Sequence, residues 1–165
     1  MKWITREDAK VDRIACPWLI KNSVDKEAKF LFVPSHKVLE MMRNENAIPF
    51  DIPNVELGHH GDECSFDAII KKYELDKMNP ELLILAEIVR GADTEKRQLT
   101  PQSAGLAAIA AGFNVISKDD YENITKQFPV YDALYAFAKA DNKEKFLTSR
   151  INSESFDYVN TTQKN

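Results

Sequence analysis

Cysteine is scarce in this chain. Two residues, Cys16 and Cys64, among 165 are too few for a disulfide framework; in a reducing compartment they persist as thiols, metal ligands or reactive groups. Basic runs are missing too. Lysine and arginine number 22 against 26 acidic residues, a net charge of −4, the opposite of the positive field that a nucleic-acid surface presents. Long apolar stretches are also absent. The strongest, residues 82–89, falls far short of a bilayer span, so no membrane partner is expected. Residues 1–8 carry charge where a signal peptide needs an apolar core, and the expected location is cytoplasmic. There is no P-loop, no dinucleotide glycine fingerprint and no Gly-x-Ser-x-Gly elbow. What remains is an ordinary globular composition, 44% hydrophobic and 29% charged, at a length that one domain fills.

Apolar periodicity and chain breakers divide the chain. Residues 2–5 read as a first strand. Proline disfavours helix in the residue before it and suits the first helical position, so a helix is expected to start at Pro17, with Cys16 near its N-cap. Residues 28–33 form a compact apolar run closed by Pro34, a buried strand. Ser35 then caps a helix to about Arg43. Residues 47–52 and 55–59 read as two further strands. From Cys64 the pattern turns helical, with Phe66, Ile69, Ile70 and Tyr73 on one face. Asn79-Pro80 and Thr100-Pro101 each open a helix, the second ending at Gly112. Residues 117–120 fit a capping box, and Pro129 is expected to divide the last helical region, whose inner face carries Val130, Leu134 and Phe137. The order βαβαββ followed by helices predicts an α/β fold: a small mixed sheet in the N-terminal half covered by helices, and a C-terminal half almost all helical. Residues 1–140 are read as a single domain and 141–165 as a polar extension, weakly packed or partly helical.

Three segments hold the candidate chemistry. Glu56, His59, His60 and Cys64 gather imidazoles, a carboxylate and a thiol where a strand is expected to become a helix. Imidazole suits zinc or iron, and carboxylate extends the choice to manganese. Neighbouring strand residues point to opposite faces, so the competing reading is one histidine in the core and one at the surface. In the second segment, Cys16 at a helix N-terminus would favour thiolate, with Arg13 nearby to hold an oxyanion; a small buried hydrophobe is the alternative. In the third, Arg90 and Asp93 flank Gly91 at the end of an apolar helix. There Asp93 is a metal ligand, a base, or simply a helix-end cap or salt-bridge partner. His36 is expected at the surface, and Tyr131 and Tyr135 in packing roles.

Together these segments resemble the chromate-resistance protein family, also found as the C-terminal domain of chromate-responsive regulators. The matching residues run through Lys10-Val11-Asp12-Arg13-Ile14-Ala15-Cys16-Pro17-Trp18, Ile48-Pro49-Phe50-Asp51-Ile52-Pro53, Glu56-Leu57-Gly58-His59-His60-Gly61, Cys64-Ser65-Phe66-Asp67, Arg90-Gly91-Ala92-Asp93-Thr94 and Val130-Tyr131-Asp132-Ala133-Leu134-Tyr135. The resemblance covers about residues 3–139. It implies a place in bacterial defence against oxidants or metal oxyanions, chromate or hydroperoxide, and implies no particular reaction. The regulators carry an additional N-terminal portion, so a DNA-binding role does not follow.

The resulting expectation is a metal or reactive-thiol site: His59, His60, Glu56 and Asp93 as ligands to zinc, iron or manganese, with Cys16, Cys64, Arg13 and Arg90 in catalysis upon a small oxidant or oxyanion. A non-catalytic sensor or binding module with the same residues is the alternative. The three segments are expected to converge on one polar pocket, because each carries groups that are costly to bury without partners.

Overall fold

In the computed structural model, which describes residues 1–94 and 99–162, the elements run β1 (Lys2–Arg6), α1 (Asp12–Ser23), β2 (Lys29–Val33), α2 (Val38–Glu45), β3 (Ile48–Pro49), α3 (Ser65–Lys72), α4 (Leu82–Asp93), α5 (Pro101–Ile116) and α6 (Asp120–Thr162). β1 lies between β2 and β3, and all three strands are parallel. Parallel neighbours need crossovers, and α1 and α2 supply them. The α/β class and the helical C-terminal half are those the sequence implies. Among the described residues, no helix is long and apolar enough to cross a membrane.

Alternation along β1 sends successive side chains to opposite faces. Trp3 joins Phe30, Phe50 and the inner faces of α1, α3, α4 and α6 in the main core. Ile4 turns the other way and packs with Val38, Ala47 and Ile52 beneath α2. The carboxyl ends of β1 and β3 therefore open onto the same edge, the place where open parallel sheets bind ligands.

Several expected boundaries move, each for a physical reason. The largest shift concerns Pro17, which lies inside α1. An interior proline removes a helical hydrogen bond and costs about 3 kcal/mol or more. The helix still begins five residues earlier because its first turn is held from outside. The Asp12 N–H donates to Asp93 Oδ1 at 3.2 Å, and the Tyr131 hydroxyl donates to the Val11 carbonyl at 3.1 Å. Cys16 is thus a fully buried mid-helix residue and Val11 holds the cap position, which removes the expected helix-terminal thiolate at Cys16. Residues 55–59 form turns instead of a strand, and only Ile48–Pro49 of the preceding segment pairs with β1. Gly58 explains the turn: a Cβ there would stand 2.6 Å from the Ile52 carbonyl oxygen.

The helical half differs in detail. α5 continues through Gly112 to Ile116, since Gly112 faces open space and nothing forces a stop. The cap of α6 is Asp119, which accepts the Glu122 N–H at 2.8 Å while Glu122 reaches back to the Lys118 N–H at 2.7 Å; Ser117 takes no part. α6 runs through Pro129 without a break. Its buried face carries Asn123, Gln127, Tyr131 and Ala138, whereas Phe137 is 43% exposed. Gly91 is not a helix-ending residue either. It sits within α4, where a Cβ would lie 2.3 Å from Ser103 Oγ, so it lets α5 approach.

Candidate metal centre

Four segments deliver acidic and basic side chains to the open edge of the sheet. α1 begins with Asp12, which is 1% exposed. Its carboxylate accepts the Ser65 N–H at 2.7 Å and the Phe66 N–H at 3.1 Å, the free donors of the first turn of α3. A carboxylate is favoured at a helix N-terminus by those donors and by the helix dipole. Two residues beyond β3, Asp51 adopts φ +47°, a left-handed conformation that Asp tolerates better than most residues. Its carboxylate accepts from Ser65 Oγ at 3.2 Å and pairs with Arg13 Nε at 3.1 Å. The last residue of α4, Asp93, is tied to the backbone of Asp12.

His59 closes the arrangement from the turn after Gly58. Its Nε2 lies 3.1 Å from Asp51 Oδ1, 3.3 Å from Asp93 Oδ2 and 3.4 Å from Asp12 Oδ2. Hydrogen bonds to Asp12 and then Asp51 raise the imidazole to about 10, although partial burial opposes the shift. Asp93 is pushed up to about 6, chiefly by burial and then by the negative charges of Asp12 and Asp51. One ligand atom each from Asp12, His59 and Asp93 lies within 4.8 Å of the others, a separation that a single ion can bridge. A cavity of about 410 Å³ lined by Arg6, Asp51, Ile52, Pro53, Asn54 and His59 leads from solvent to this cluster.

The remaining candidates divide sharply. Cys16 Sγ donates to Asp12 Oδ1 of the cluster at 3.4 Å, and Cys64 Sγ donates to Asp67 Oδ2 at 3.3 Å. Both are fully buried, and burial followed by the charge of Asp12 pushes each thiol well above its ordinary range. They are held as neutral thiols, the opposite of an activated nucleophile. Arg13 is occupied by Asp51 and by the carbonyl oxygens of Arg6 and Glu7. Arg90 forms a two-pronged pair with Asp67, Nε to Oδ2 at 3.1 Å and Nη2 to Oδ1 at 2.9 Å, and Asp67 also accepts the Cys64 N–H at 3.0 Å. His60 lies apart. Its Nε2 contacts the Glu56 carbonyl oxygen at 2.8 Å, and the Glu56 side chain is paired with Lys72.

The three expected segments therefore meet, but through His59, Asp12 and Asp93. His60 and Glu56 stand outside the cluster. The places of Asp51 and Asp12 in the cluster escape a reading by residue type alone. Their one sequence signal is an acidic residue amid apolar neighbours: Asp51 is framed by Phe50 and Ile52, and Asp12 by Val11 and, after Arg13, Ile14.

The sequence profile described as "ChrB, C-terminal domain" matches residues 3–138, which contain every member of this cluster. The chain belongs to the ChrB C-terminal domain family. Protein ChrB of Cupriavidus metallidurans is 28% identical over 144 residues, an alignment covering 86% of this chain and 42% of that protein. The chain thus spans less than half the length of this ChrB relative. No solved structure matches it.

Proposed function

We propose that this ChrB-family chain is a cytoplasmic metal-binding module of bacterial defence against metal oxyanions or oxidants, chromate or hydroperoxide. The observation that carries this reading is the placement of one imidazole nitrogen within 3.4 Å of carboxylates from three separate segments. Asp12, His59 and Asp93 are the proposed ligands, with Asp51 beside them. Oxygen donors with a single imidazole suit manganese, iron or zinc. When bound, such an ion supplies Lewis acidity at the inner end of the Arg6–His59 cavity. The three carboxylates favour a cation, and Arg13 and Arg90 are already taken up by Asp51 and Asp67, so a small oxyanion or peroxide is proposed to reach the centre through the ion.

A non-catalytic sensor is the second reading, and the buried, neutral thiols favour it: neither cysteine is placed to donate electrons to a solvent-borne oxidant. Elemental analysis of protein purified without added metal, followed by turnover assays with chromate and hydroperoxide on the loaded protein, separates the readings. Stoichiometric metal with turnover supports an enzyme, and metal without turnover supports a sensor. Failure to bind manganese, iron or zinc in direct titration removes both.

A further inference from the structure

A second cavity, of about 530 Å³, is lined by Trp18, Tyr73 and Tyr135, by the ends of two helices and by acidic residues. It is separate from the metal centre and shares no lining residue with the cavity at His59. α1 ends there at Asn22 and Ser23, and the chain leaves the C-terminus of α3 there through Tyr73 and Glu74. Helix C-termini present carbonyl oxygens and the negative end of the helix dipole, so two such ends favour positive charge. Asp132 adds a full charge. One of its oxygens accepts the Trp18 indole N–H at 2.8 Å, and among the described residues the carboxylate has no cationic partner. Glu74, the other acidic lining residue, is paired with Lys77 at 2.7 Å.

The aromatic walls fit the same class of ligand. Aromatic faces attract cations, the more so when the cation is partly desolvated. The protein already uses one of them in this way: the Lys139 ammonium stands 4.2 Å from the centre of the Tyr135 ring. Trp18 meets Tyr135 edge-on with centroids 5.5 Å apart, which fixes the wall, and the Tyr135 hydroxyl is anchored to Glu81 Oε1 at 2.9 Å. From these features we infer that the cavity binds a small organic cation, an alkylamine or quaternary ammonium group with its charge toward Asp132 and its apolar body against Trp18, Tyr73 and Tyr135.

Both tryptophans of the chain report on this place, since Trp18 lines it and Trp3 packs against Tyr73 at 6.4 Å. Titration of the full chain with tetramethylammonium and with butylamine, at constant ionic strength against sodium, is followed by tryptophan emission and calorimetry. The expected result is saturable, millimolar binding of at least one probe. Asp132→Asn keeps an acceptor for the Trp18 indole and weakens binding about fivefold. Metal binding at His59 is unchanged in this variant. A linear, sodium-like response to both probes overturns the inference, as does binding that is indifferent to Asp132→Asn.

Discussion

Replacing Asp93 by asparagine should separate stability from metal binding. In the metal-free protein the Asp93 carboxyl is pushed from 3.8 to about 6 by burial and by the neighbouring Asp12 and Asp51 charges. A shift of about two units corresponds to at most about 3 kcal/mol of unfavourable free energy for the ionised form. Asparagine removes the charge and retains an oxygen that accepts the Asp12 N–H. It also forfeits some attraction to His59, whose main partners are Asp12 and Asp51. The net expectation is a gain of about 1–2 kcal/mol, or a rise of roughly 3–6 °C in melting temperature for a chain of this size. Metal-binding residues are commonly suboptimal for stability in this way. The assay is thermal melting of wild type and Asp93→Asn, each in chelator and in saturating manganese. Wild type should gain stability from the metal and the variant little or none. A variant that melts several degrees lower in chelator, or that keeps the full metal-induced gain, refutes the reasoning.

Four further outcomes follow from the geometry. An ion can take His59 Nε2 only after its proton leaves, and that group titrates at about 10 in the metal-free protein; apparent metal affinity between pH 7 and 9 should therefore rise about tenfold per pH unit, measured by competition titration. Without metal, the raised His59 value makes its stabilising contribution complete below 6.5 and lost as the pH climbs through about 10, so melts in chelator should fall over that range. Arg90→Gln leaves the buried Asp67 carboxylate without its two-pronged partner and should cost roughly 3 kcal/mol in denaturant unfolding while metal stoichiometry stays unchanged. Cys16 and Cys64 should resist a thiol reagent in the native protein and react fully in denaturant, and rapid alkylation with mass spectrometry should find them unbridged; fast native labelling of either argues against the burial described above.

Much of the fold can be read from local pattern because the signals are strong where the core is made. Phe66, Ile69 and Ile70 repeat at helical spacing and are all buried, and the apolar run before Pro34 becomes β2. Tertiary contacts override the local signal elsewhere. Proline at position 17 argues for a helix start, but Asp12, Asp93 and Tyr131 pin the turn before it and carry α1 through the proline. At the site, adjacency in sequence proved a poor guide. His59 and His60 are neighbours, yet the turn set by Gly58 aims His59 into the acidic cluster and leaves His60 against Glu56. Asp51 reaches His59 from a left-handed backbone, a conformation that no periodicity reveals.

The most direct test of the proposed metal centre is anomalous diffraction from crystals of the full chain grown with manganese. The account predicts one strong anomalous peak at bonding distance from His59 Nε2 and from carboxylate oxygens of Asp12 and Asp93, lost in His59→Ala. A cluster without a peak under saturating metal, or a peak between His60 and Glu63 instead, contradicts it.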